Sequence, residues 1–137
     1  MSASAPSENW IERSFVLAAA RCAELTPLVY RRLHEERPET RTMFRTTGSD
    51  LVKGSMLALT IEAILDFTGE RSGKFRMIEC EVFSHDAYGT SRELFVVFFG
   101  VIARTVQDIL GPDWTADMDA AWQKLLREIE AMVADVA

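Results

Sequence analysis

Two histidines are all that this 137-residue chain contains. One of them, His85, stands in the run Phe83-Ser84-His85-Asp86-Ala87-Tyr88-Gly89-Thr90, between two stretches of helical periodicity. A neutral imidazole so placed can ligate a metal, the iron of a prosthetic group included. The ordinary alternative is a structural histidine against an apolar face. The other histidine, His34, has no cysteine or second histidine close in sequence to complete a metal site. Cys22 and Cys80 are too few and too far apart for a disulfide framework and read as reduced thiols.

The elements that must position His85 are helical throughout, since no run alternates apolar and polar residues for long enough to make a half-buried strand. The expected class is all-α. Ser7 is expected to cap a first helix carrying Trp10, Ile11, Phe15 and Ala18, with Glu8 in its first turn. A second helix is expected from about Ala23 to Glu36, with Pro38 breaking it or restarting a short helix. Ser49 and Asp50 end a loop before a long apolar helix from about Leu51 to Phe67. Phe75, Ile78, Val82 and Tyr88 mark a shorter helix with His85 in its last turn. Two long helices follow, the first rich in Phe95, Phe98, Phe99 and Ile102, the second starting at Thr115 and carrying Met118, Trp122, Leu125 and Ile129. Gly111-Pro112-Asp113 is the stop between them.

A chain of this length fits one domain, expected over residues 8–137 behind a disordered tail at 1–7. With 15 Lys plus Arg against 21 Asp plus Glu, the net charge of -6 works against nucleic-acid phosphates and anionic membranes. The basic residues are scattered and no glycine-rich phosphate loop precedes a helix, so neither nucleic acid nor nucleotide is an expected partner. The N-terminal residues lack a basic start followed by an apolar segment, and no stretch reads as a membrane span of roughly 18 apolar residues. The expected location is the cytoplasm.

Together these residues resemble the globins, and more closely the bacterial single-domain globins and the haem domain of flavohaemoglobins. The resemblance spans roughly Trp10 to Val133. It rests on Tyr30, on Pro38-Glu39-Thr40-Arg41-Thr42-Met43-Phe44, on His85-Asp86-Ala87-Tyr88-Gly89, on Leu110-Gly111-Pro112-Asp113-Trp114-Thr115 and on Ala120-Ala121-Trp122. It implies the three-on-three helical sandwich of about seven helices, with haem b as cofactor. His85 takes the proximal position on iron. Tyr30 takes that of the distal tyrosine, and Phe44, 14 residues later, that of the phenylalanine wedged against haem. Lys53, 32 residues before His85, falls where these globins usually carry a distal glutamine or histidine, with Leu57 one turn later as an apolar distal contact.

Haem is a large apolar disc with two carboxylates, and a slot lined by Phe44, Leu57, Ile61, Val82, Phe95 and Phe99 would suit it. The same residues would equally serve as ordinary core. The second ring nitrogen of His85 would donate to Ser84 or to a carbonyl one turn back, keeping the imidazole neutral. The hydroxyl of Tyr30 would either donate to a bound oxygen ligand or, as a core tyrosine, reach a backbone carbonyl.

Three positions depart from the family pattern. Lys53 can snorkel to pair with a haem propionate or, deprotonated by burial, ligate ferric iron. Glu81 replaces the usual leucine one turn before His85. Phe95 stands where flavohaemoglobins keep a tyrosine. With no reductase domain in the sequence, nitric oxide dioxygenation would need an external reductase. The leading expectation is a bacterial-type globin that reversibly binds O2, NO or CO for storage, sensing or scavenging, as a monomer or homodimer. The competing reading is a haem-free globin-fold sensor or interaction module, with Lys53 and Glu81 as a charged pair in the vacated pocket.

Overall fold

Asn9 begins the helical structure, its Oδ1 accepting from the N–H of Glu12 at 3.0 Å. The cap is therefore Asn9 where Ser7 was expected, and the acidic residue of the first turn is Glu12. Asparagine caps as well as serine, and at Asn9 it reaches the third N–H of α1, Trp10–Arg21. In this computed structural model the described residues are 9–44, 49–69, 78 and 91–135, with backbone alone at 42–44 and 49–52.

The second helix, α2, spans Thr26–Glu36 and starts three residues later than its apolar pattern suggests. Pro27 is the reason. In a helix begun at Ala23, its ring would oppose the carbonyl of Ala23 itself; in the first turn, its missing N–H costs nothing. A 3-10 turn over Pro38–Phe44 follows, the short restart that Pro38 signals. The third helix, α3, is Ser49–Thr68. Its buried residues include Leu57, Ala63, Ile64 and Phe67, while Leu59 is exposed.

Helix α4, Arg92–Leu110, is capped by Ser91, whose Oγ accepts from the N–H of Leu94 at 3.1 Å. By length and composition α4 could cross a membrane, against the expectation of no such stretch. Its buried residues, among them Phe98, Phe99, Val101, Ile102, Val106 and Leu110, instead belong to the core and pack with α1, α2 and the last helix. Gly111, at φ +53°, takes the chain out of α4 through a left-handed conformation that a side chain would oppose. Arg21 secures this end, donating to the carbonyl of Leu110 at 2.9 Å and pairing with Asp113.

The last helix, α5, Ala116–Asp135, is capped by Thr115, which accepts from the N–H of Met118 at 3.1 Å. Met118, Trp122, Leu125, Ile129 and Val133 make its buried stripe. Trp122, fully buried, meets Phe15 edge-on and donates to the Ser14 hydroxyl at 3.0 Å. Helices α1, α4 and α5 pack pairwise around this contact, α2 lies on α4, and α3 packs against α1 and α2. The class is all-α as expected, with five α-helices and two 3-10 turns among the described residues. The expected helix around His85 lies outside them apart from Ile78, which is helical and buried.

Candidate functional site

Tyr30 lies on the buried stripe of α2 with Val29 and Leu33, and only 3% of it is exposed. Its ring packs against Phe98 of α4, centroids 5.6 Å apart. Its hydroxyl crosses to α3 and donates to the carbonyl of Lys53 at 3.1 Å. Burial raises the phenol's pKa well above its ordinary value, so the group is a hydrogen-bond donor throughout the physiological range. The Lys53 ammonium lies 5.4 Å from the centre of the same ring, within cation–π reach. Leu57, one turn further along α3, is buried, and Ile61, one turn beyond that, is half-buried.

Tyr30, Lys53, Leu57 and Ile61 line one pocket of about 740 Å³ between α2 and α3, which extends to the corner joining α1 and α2. Within a ligand pocket's usual size range, it pairs an apolar wall with one buried donor and has cationic residues, Lys53 and Arg31, in its lining. That donor set fits an apolar disc carrying carboxylates. Leu57 and Ile61 would lie against the ring, and Lys53 would be a cation available to a propionate.

His34 also lines this pocket, a position the sequence reading did not give it. Four residues after Tyr30, it shares that face of α2, the rings 6.3 Å apart. Its Nδ1 is 2.6 Å from the Thr40 hydroxyl, which is itself 2.7 Å from the carbonyl of Arg37. One hydroxyl hydrogen cannot serve both contacts. Both are bonds when Nδ1 donates to Thr40 and Thr40 donates to Arg37, which leaves Nε2 as the acceptor of a neutral ring.

Burial first, then the charges of Lys53 and Arg41, lowers the His34 pKa below 6.5. The unfolded chain therefore takes up this proton at higher pH than the folded one. Stability is full above the unfolded value and falls as pH drops through it, levelling once the folded imidazole also protonates. Denaturant melts at about pH 7.5 and about pH 5.5 should show a larger loss for wild type than for His34→Gln. Equal losses would remove His34 as the cause.

Phe95 and Phe99 pack on one another, centroids 5.6 Å apart, and neither lines the pocket. Phe98 is the α4 aromatic that meets Tyr30. The backbone of Phe44 closes the 3-10 turn, but its side chain, like Val82, Ser84, His85 and Glu81, lies outside the described residues. Among the described residues, no three His, Cys, Asp or Glu side chains are grouped to hold a metal ion.

Residues 28–133 match the globin family model. The chain belongs to the globin family. The match begins two residues before Tyr30 and ends near the close of α5, so it takes in both walls of the pocket. No curated protein and no solved structure matches the chain. Globins typically bind haem and small gaseous ligands, and the side chains of this globin's α2–α3 pocket fit that group.

Proposed function

We propose that this globin binds haem b, holds its iron through His85, and reversibly binds a diatomic gas, O2 and also NO or CO, on the side of Tyr30. The supporting observation is the Tyr30 hydroxyl: buried, kept protonated and beside apolar Leu57 in a chain of this family. Haem, when bound, supplies a ferrous iron with one position open to a small gas molecule.

The chain's own residues do the rest. Leu57 and Ile61 exclude water from the ring face. The Tyr30 hydroxyl can exchange the Lys53 carbonyl for the partly negative end of a gas ligand. A neutral hydrogen bond contributes about 0.5–1.5 kcal/mol net and one to a charged group about 1.5–3, so the exchange favours the ligand. The same hydroxyl holds α3 to α2 in the absence of a ligand. The Lys53 ammonium, already against the Tyr30 ring, is suited to a propionate rather than to the metal.

Titrating the purified protein with haem tests this reading. Saturation at one haem per chain, with a ferrous form that shifts on adding carbon monoxide, is the expected result. Failure to take up haem would favour the haem-free module.

A further inference from the structure

We propose that His34 is a pH-sensitive switch for Lys53: the neutral imidazole lets the Lys53 ammonium rest on the Tyr30 ring, and the imidazolium turns it out to solvent. The device goes beyond the gas-binding reading and needs no haem. His34 and Lys53 reach the same ring from different helices. The His34 ring, on α2, lies 6.3 Å from that of Tyr30, and the Lys53 ammonium, from α3, lies 5.4 Å from the Tyr30 centroid. Both residues line the α2–α3 pocket and both are half-buried, where salt screens a charge less than at the surface.

The hydrogen bonds decide where the proton goes. Nδ1 donates to the buried Thr40 hydroxyl, 2.6 Å away, and keeps that bond in either state, so Nε2 is the nitrogen that titrates. The ring stays anchored while its charge changes. The titratable and charged groups around it are Tyr30 and Arg31 of α2, Cys22 and Glu24 at the α1–α2 corner, Arg41 of the 3-10 turn and Lys53 of α3. Tyr30 stays neutral, and the charges that act on the ring, those of Lys53 and Arg41, are both positive. Arg41 is already exposed and does not line the pocket, so Lys53 is the cation that a new charge on His34 drives out. Its flexible stem lets the ammonium reach water without moving the helix. The backbone of α3 stays in place, because the Tyr30 hydroxyl holds the Lys53 carbonyl at every pH in question. Coupling is reciprocal: Lys53 weakens the hold of His34 on its proton, so that proton weakens the hold of the pocket on Lys53 equally.

The test is proton NMR on the full chain without haem, titrated from about pH 7.5 to about pH 5, the range in which histidine changes charge. Of the signals from the chain's two histidines, His34→Gln removes that of His34. Lys53→Met identifies the Lys53 methylene next to the ammonium, which the Tyr30 ring shifts upfield. That methylene should move to the position of an exposed lysine with the same midpoint as His34, below 6.5, and should stay still in His34→Gln. In Lys53→Met the His34 midpoint should rise, a measurement that holds even where His34→Gln does not fold. A Lys53 signal that stays still while His34 titrates would overturn the switch. Equal movement in His34→Gln, or a His34 midpoint unchanged in Lys53→Met, would overturn it too. With no haem present, these outcomes are independent of whether the chain binds it.

Discussion

Tyr30→Phe should release oxygen about tenfold faster than wild type, the factor that corresponds to about 1.4 kcal/mol. The number is a difference. The hydroxyl contributes about 1.5–3 kcal/mol to a partly charged ligand but gives up a bond of about 0.5–1.5 kcal/mol to the Lys53 carbonyl, 3.1 Å away. Carbon monoxide carries far less charge on its outer atom, and its release should change much less. Stopped-flow replacement of each gas measures both rates. A similar acceleration for the two gases would identify Tyr30 as a packing element rather than a donor. The ring itself is retained in the variant, so its contact with Phe98 persists and the pocket keeps its shape.

Trp122→Ala should cost about 3–5 kcal/mol of unfolding free energy, a large part of the roughly 5–15 kcal/mol that holds such a domain together. Trp122 is fully buried where α1, α4 and α5 meet. Truncation removes the edge contact with Phe15 and takes from Ser14 the donor at 3.0 Å. Ser14 still donates to the carbonyl of Ile11 at 2.6 Å, so the larger part of the loss is volume. Urea melts with a common slope give the value, and a loss below about 1 kcal/mol would show that the core closes over the gap. Trp122 lies outside the pocket lining, so oxygen release from the folded variant should match wild type.

Apolar periodicity reveals the number and order of the described helices because each one buries a stripe: Met118, Trp122, Leu125 and Ile129 in α5 are legible without any partner. Boundaries follow weaker, local rules. Pro27 outweighs the apolar pattern that begins at Ala23, and Asn9 supplies the cap expected of Ser7. The pocket is legible where family spacing supplies a third dimension: Tyr30, Lys53, Leu57 and Ile61 do converge. His34 has no cysteine or second histidine close in sequence to mark it as a ligand, and its spacing of four from Tyr30 is the one signal that places it on the pocket face. The choice among Phe95, Phe98 and Phe99 depends on the rotation of α4 against α2, and adjacent aromatic residues on one helix do not encode it.

The central claim is that haem iron is held by His85, and the most direct measurement is the ferrous spectrum of His85→Gly with and without added imidazole. Loss of the histidine-ligated spectrum in the variant, and its return when imidazole fills the vacated position, is the result expected. A ferrous spectrum identical to wild type in His85→Gly without imidazole would contradict the assignment.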